Sequence, residues 1–502
     1  MDAAADTSAV ETLHTSQLMA NLKSLAKDTA IYGLSSIVGR FLNYLLVPLY
    51  TYTLKSCSDY GIVNDLYAQT ALVLVILTFG METTFFRFIN KEDKPMEVFS
   101  TSLIMVGTVA GVFLIAVLGF LPVVARMLGY ADNPQYVGMM AVIVAMDAFQ
   151  AILYSYLRYQ KKAIRFASLK MLFILINCTL NLMAYVVVPH FLADWPITVG
   201  YTFAINLVST AIIMLCFLPE LRQCPWRFNA GYCRPMLSYT WPMLVLGIAG
   251  ILNQVAGQLL LPRVLPQQEG RTALGIYGAC VKIAMIMAMI TQAFRYAYEP
   301  IVFAGHNDKN NPELLAKTMK FFIIFTLLAF LCVVGYMDVL QHIIEAKYRE
   351  GLRIVPIVMA AEIMMGIYFN LSFWYKLIDK TIYGAWFSLS GCAVLLLVNL
   401  AFIPQYSYMA CAWAGVAGYA TSMLISYVVG QRLNPIPYPL GSIAVYVILA
   451  GVLFVLMQLM PADWPFAVRL AANTLLILVF VVYLLCQDFP LRSLPFVGRI
   501  IK

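Results

Sequence analysis

Apolar stretches long enough to cross a lipid bilayer recur from Leu25 almost to the C-terminus. A helix crossing the hydrocarbon core needs about 20 predominantly apolar residues, and in lipid its backbone N–H and C=O groups must be satisfied within the segment. These runs therefore read as spanning helices. Their approximate limits are 24–52, 59–89, 97–125, 135–158, 163–189, 197–219, 236–263, 273–299, 313–337, 353–376, 380–403, 409–431, 438–460 and 464–486. Only 12% of the 502 residues are charged and 62% are hydrophobic, so little chain remains for a soluble catalytic domain. The expected fold class is an all-α membrane protein of about fourteen transmembrane helices. Residues 1–22 are polar, carry Asp2, Asp6 and Glu11, and lack the apolar core of a cleaved signal peptide. The first span is expected to act as the insertion signal.

Basic residues near span ends resist translocation and so report orientation. With the N-terminus inside, 22 Lys and Arg fall on the cytoplasmic side, densest at Arg158, Lys161, Lys162, Arg165 and Lys170. Eight fall outside: Lys55, Arg126, Arg263, Arg271, Lys347, Arg349, Arg353 and Arg469. The asymmetry predicts an even span count with both termini cytoplasmic. The net charge of +8 is dispersed over short loops and forms no patch interleaved with aromatics, which argues against a nucleic-acid partner. The ten Cys read mostly as apolar thiols, and Cys224 and Cys233 lack a second pair at zinc spacing, so no metal site is expected.

A shift of 214 residues superposes the first two spans on the seventh and eighth. Gly33 falls on Gly247, Pro48 on Pro262 and Gly61 on Gly275. With a six-residue gap, Phe86-Arg87-Phe88 falls on Phe294-Arg295-Tyr296. Glycine and proline fix the backbone at set points in a helix pair, so these matches weigh more than the Leu and Ile matches around them. A repeat spaced by six helices predicts two pseudo-symmetric six-helix lobes, the arrangement in which a transported molecule sits between lobes that rock. The division expected is a cytoplasmic tail (1–22), an N-lobe (23–221), a linker with Pro225 (222–235), a C-lobe (236–432), two extra helices (433–487) and a cytoplasmic tail (488–502).

A charge at the centre of a span costs about 2.5–3.5 kcal/mol on insertion scales, so such residues are the best functional clues in this chain. Arg40 is seventeenth of the 29 residues of the first span, with Gly39 beside it and Asn43 one turn on. Lys282 is the second deep cation. Nearer the cytoplasmic ends, Arg87 follows Glu82, and Gln292, Arg295 and Glu299 share one helix face. Asp147, Gln150, Tyr154 and Arg158 share a face of the fourth span; Lys170, Asn177 and Asn181 share a face of the fifth. The candidate binding residues are thus Arg40, Lys282, Arg87, Arg295, Asn43, Glu82, Asp147 and Glu299. Two readings of these stripes stay open. They line a water-filled cavity, or they lock helices together through pairs such as Glu82 with Arg87 and Arg295 with Glu299. Asn177, Asn181, Asn253, Gln254 and Gln258 read as hydrogen-bonding glue between helices. Trp195, Trp374 and Trp464, near span ends, read as interface anchors.

No G-x-x-x-x-G-K-[ST] phosphate loop, H-E-x-x-H pair or convincing Ser/His/Asp set occurs, so no enzyme and no cofactor are expected. Outward loops are short, which disfavours a membrane glycan ligase or polymerase.

The stretch Ala26-Lys27-Asp28-Thr29-Ala30-Ile31-Tyr32-Gly33-Leu34-Ser35-Ser36, continuing Arg40-Phe41-Leu42-Asn43 and Pro48-Leu49-Tyr50-Thr51, resembles the opening of bacterial polysaccharide biosynthesis flippases. Tyr60-Gly61-Ile62-Val63 and Gly80-Met81-Glu82-Thr83-Thr84-Phe85-Phe86-Arg87-Phe88 are similar to the same family. That family shares a superfamily with lipid II flippases and multidrug and toxic compound extrusion transporters. The resemblance implies two six-helix lobes in a V plus two C-terminal helices, in the bacterial inner membrane. It also implies flipping of an undecaprenyl-diphosphate-linked oligosaccharide to the periplasmic leaflet. Membrane lipids would be partners, as would a polymerase and glycosyltransferases of the same pathway. Arg40 and Lys282 would meet the diphosphate, with Arg87 and Arg295 at the cytoplasmic mouth. The competing reading within the superfamily is a drug or cation exporter. Such a protein would call for a buried carboxylate, and the first span offers only Asp28 at its cytoplasmic start.

Overall fold

A computed structural model describes Tyr44 and residues 46–192, 194–304, 311–378, 380–461 and 463–488. Among these residues, twelve helices are long and apolar enough to cross a membrane, and Gly200–Cys216 is a shorter apolar helix. Each overlays one of the predicted spans from the second to the fourteenth. Several start where the sequence supplies a proline at the first helical position, as at Pro95 and Pro134, where the missing N–H costs no intrahelical bond. The first predicted span lies mostly outside the described residues; Leu46–Thr53 is its helical end.

The described chain divides into two compact units. One comprises Thr70–Ile248 with Leu46, and the other Val47–Gln69 with Ala249 onward. The division passes through two continuous helices, Cys57–Thr78 and Ala230–Val264.

In the first unit, helices Met81–Ile89, Pro95–Gly119 and Pro134–Tyr159 enclose a core of Phe85, Phe99, Leu103, Val106, Ile152 and Met236. The Phe99 and Tyr156 rings stack with centroids 4.0 Å apart. The second predicted span is broken at Phe79 and Gly80, where φ is 35° and 74°. Gly80 tolerates this left-handed turn because it has no Cβ, and an added Cβ would lie 2.6 Å from the Cβ of Met243. The break re-aims Met81–Ile89, which carries Glu82 and Arg87. On Pro95–Gly119 the side chains of Val109, Val112, Ile115 and Leu118 are exposed, as suits a face turned to lipid.

In the second unit the 214-residue repeat takes physical form. A Cβ on Gly61 would fall 1.9 Å from the carbonyl oxygen of Arg271, and a Cβ on Gly275 would fall 1.9 Å from that of Cys57. Both partners obey the same shift, since residue 57 maps on 271 as 61 maps on 275. The helix Cys57–Thr78 therefore crosses the helix Gln267–Ala304 about a local pseudo-two-fold axis, with backbones too close for any side chain. Asn64 and Gly278, also repeat mates, meet at the same crossing, where a Cβ on Gly278 would lie 2.6 Å from Asn64 Nδ2. Nearby, Arg263 Nη1 donates to Asp65 Oδ1 at 3.0 Å.

The last two helices, Leu440–Gln458 and Phe466–Gln487, are fixed to Asn311–Gly335 and the turn after it. Asn473 Nδ2 donates to Gly335 O at 2.8 Å, and Arg469 pairs with Asp338 at 2.5 Å. At the other end Asp488 pairs with Lys320 and accepts from Tyr446 Oη at 2.6 Å. Their outer faces, with Ile448, Val452, Leu475 and Val482, are exposed and apolar. Trp374 departs from the expected interface anchor. It is 1% exposed, packed among Tyr375, Tyr383 and Phe387, with Nε1 donating to Ser426 Oγ at 3.3 Å. Closeness to a span end does not place a side chain on the lipid side, because sequence position carries no azimuth.

Candidate functional site

The structure gathers Glu82 and Asp147 into one charged cluster in the first unit. Glu82 pairs with Arg158 Nη2 at 3.3 Å, not with Arg87. The Arg158 guanidinium lies 4.8 Å from the centroid of the Phe86 ring and Nη2 donates to Ser155 Oγ at 3.2 Å. Lys170 places Nζ over the Tyr154 ring at 4.0 Å and lies within electrostatic reach of Asp147, Glu82 and Arg158. Three helices thus contribute two acids and two bases: Met81–Ile89, Pro134–Tyr159 and Ala163–Leu182. The Arg158–Glu82 pair is partly exposed, with side chains 37% and 46% accessible, so it adds little to stability.

Arg87 lies elsewhere on its helix, with its guanidinium 4.2 Å from the centroid of the Tyr239 ring. Its repeat mate in the second unit, Arg295, does the same with Phe369 at 4.5 Å. Stacking uses the faces of the guanidinium, while the donor fork that matches phosphate lies in its plane. Lys282 stands on the same helix as Arg295, thirteen residues earlier, or about 20 Å along the axis. Among the described residues it makes no ion pair, hydrogen bond or ring contact, so this mid-span cation is uncompensated there. Arg40 and Asn43 lie outside the described residues, as does the side chain of Glu299.

The asparagines divide by role. Asn181 Nδ2 donates to Asn177 O at 2.8 Å within its own helix, whereas Asn253 Nδ2 reaches Ser388 O on a neighbouring helix at 3.4 Å. Asn253 also borders a cavity of about 60 Å³ in the second unit, together with Glu362, Asn399 and Tyr419. Sequence reasoning passed over Glu362. The signal was present, since it is an acid in the middle of the 353–376 span and fails the same energetic criterion that singled out Arg40 and Lys282. The first span has no mid-span acid in its sequence, but Glu362 places one in the 353–376 span.

A sequence model of the polysaccharide biosynthesis protein family matches residues 25–302. No curated protein sequence matches the chain. Among solved structures, the lipid II flippase MurJ in an inward closed conformation is similar at a TM-score of 0.72 and 11% identity, over 91% of this chain and 99% of that one. A MATE protein in complex with MaD3S gives 0.56 at 12% identity, over 81% and 95%. A MOP superfamily transporter from Pyrococcus furiosus gives 0.55 at 13% identity, over 81% and 95%. At these identities the likeness is one of fold, that of a multi-pass membrane transporter.

Proposed function

The chain belongs to the polysaccharide biosynthesis protein family, and from that membership we propose that it flips a polyprenyl-diphosphate-linked oligosaccharide across the bacterial inner membrane. The observation that carries this reading is one cation at mid-span depth, Lys282, with two more, Arg87 and Arg295, at matching places of the repeat nearer the cytoplasmic ends. Lys282 has no partner among the described residues, and the repeat mates Arg87 and Arg295 are both held on aromatic rings. A diphosphate crossing a low-dielectric layer needs matching positive charge, which Arg supplies as a planar fork and Lys as a compact point. On this proposal Arg40 and Lys282 contact the diphosphate, and Arg87 and Arg295 form the cytoplasmic mouth. The charge-balanced cluster of Glu82, Asp147, Arg158 and Lys170 offers donors and acceptors to the glycan, and the polyprenyl tail stays in lipid. Both termini are cytoplasmic, and alternating access by rocking of two lobes moves the headgroup.

The test is reconstitution of the purified chain in liposomes with a fluorescent undecaprenyl-diphosphate oligosaccharide. Transfer of the headgroup between leaflets without change in glycan length supports the reading. Glycan elongation would make the chain a polymerase, and uptake of a cationic dye without lipid flipping would make it an exporter.

A further inference from the structure

The short helix Met81–Ile89 is pinned along the helix Ala230–Val264 at three successive levels. At the first, a Cβ added to Gly80 would lie 2.6 Å from the Cβ of Met243, so the two helices nearly touch. One turn on, the hydroxyls of Thr84 and Thr240 share a hydrogen bond at 3.0 Å, and both residues are buried. One turn further, the Arg87 guanidinium lies 4.2 Å from the centroid of the Tyr239 ring. Residues 80, 84 and 87 are spaced at helical turns and fall on one face, and Met243, Thr240 and Tyr239 meet them in reverse order. The two buried levels fix the register of the helices. The third is the rim, where Arg87 is exposed and its ring partner half-buried.

Water alone would solvate an exposed guanidinium, so what the ring adds is direction. An arginine side chain in water spreads over many rotamers. A ring against one face of the guanidinium holds its plane and leaves the N–H donors free at its edge. Among the described residues Arg87 gives none of them to a hydrogen bond or an ion pair. A donor fork held still before its ligand arrives loses less entropy on binding, which raises affinity. The second unit reaches the same arrangement by another route. Arg295, the repeat mate of Arg87, lies 4.5 Å from the centroid of the Phe369 ring. Tyr239 stands on Ala230–Val264 and Phe369 on Ile354–Leu377, the seventh and tenth of the predicted spans, which a six-helix repeat does not superpose. The guanidinium keeps its place in the repeat while the ring comes from a different helix in each copy, so the stacked pair is not a relic of one duplicated contact. Resting on the flippase reading, we propose that Tyr239 is a positioning residue that holds the plane of Arg87 for a phosphate-bearing headgroup, with Phe369 in the same role for Arg295.

The experiment uses the purified full-length chain in liposomes with a fluorescent undecaprenyl-diphosphate oligosaccharide, and reads KM, kcat and Tm. Tyr239→Leu keeps apolar bulk and removes the ring. It should raise KM roughly two- to fivefold, the factor that goes with an exposed cation–π contact, with kcat and Tm nearly unchanged. Tyr239→Phe, which keeps the ring, should recover the wild-type KM. In an Arg87→Lys background the charge stays and there is no plane to hold, so Tyr239→Leu should change KM much less there. Phe369→Leu should act in the same way through Arg295. If Tyr239→Leu does not fold, Tyr239→Met decides the matter. A wild-type KM in Tyr239→Leu overturns the proposal. So does an equal loss in Tyr239→Phe, which would place the role in the hydroxyl. The same fold-change in the wild-type and Arg87→Lys backgrounds also overturns it, because the ring would then act on the helix and not on the arginine. Any of these results in a wild-type chain that flips leaves the flippase reading standing, whereas a wild-type chain that does not flip removes both.

Discussion

Arg165 and Arg87, both cations of the first unit, do different work. Arg165 pairs with Glu220 at 2.7 Å and also donates to the carbonyl of Cys216 at 3.1 Å, and Glu220 is 3% exposed. Removing the guanidinium leaves a buried carboxylate unpaired. Arg165→Ala is therefore expected to destabilise the chain by about 2–3 kcal/mol, read as a lower Tm. Arg87 touches only the ring of Tyr239 among the interactions resolved for it, a contact worth about 0.5–1 kcal/mol. Arg87→Ala is expected to leave Tm nearly unchanged while lowering flipping, and Arg87→Lys to restore part of the rate because charge returns without the fork. Equal Tm losses in Arg165→Ala and Arg87→Ala would put both residues in the scaffold. The depth of Lys282 was legible in the sequence because the cost of a mid-span charge depends on position along the helix alone. The meeting of Asp147 with Lys170, and of Glu82 with Arg158 in preference to Arg87, was not legible. Those pairings depend on which faces of separate helices turn toward each other.

At the scale of elements, hydropathy located the helices well because lipid imposes a length on each. It read straight through the break at Phe79 and Gly80, since an apolar run keeps its hydropathy when the backbone turns left-handed. The repeat was legible for a physical reason: glycine is forced wherever two backbones cross without room for Cβ, and that constraint marks both copies. Gly61 and Gly275 are where it binds tightest. Gly275→Ala must push Cys57 away from Gln267–Ala304, and Gly61→Ala must do the same to Arg271. Either substitution is expected to lower the yield of cross-linking between Asp65→Cys and Arg263→Cys by a cleavable bifunctional thiol reagent long enough to replace the Arg–Asp contact, whose charged ends lie 3.0 Å apart. Undiminished cross-linking yield in both glycine variants would show that the crossing does not hold these helices together.

For the whole molecule, the proposed orientation puts Lys55 and Leu192 outside and Lys162 inside. Reporter fusions after those residues are expected to give periplasmic, periplasmic and cytoplasmic signals, and a cytoplasmic signal after Lys55 would reverse the assignment. If rocking of two lobes carries the substrate, the ends that bear Asp65 and Arg263 must part once in each cycle. A completed cross-link between Asp65→Cys and Arg263→Cys through that reagent should then abolish flipping, and its cleavage should restore it. On the proposed function, the mid-span cations receive the diphosphate. The most direct measurement of this takes flipping rate and Tm together on Arg40→Ala and Lys282→Met. Lys282 has no partner among the described residues, so its charge costs the empty protein free energy; its removal, and on the same proposal that of Arg40, is expected to leave Tm unchanged or raised while flipping falls roughly tenfold to a hundredfold, the value of a charged hydrogen bond. A lowered Tm with normal flipping by the folded fraction would contradict the account, because the cations would then be pairing helices and not holding phosphate.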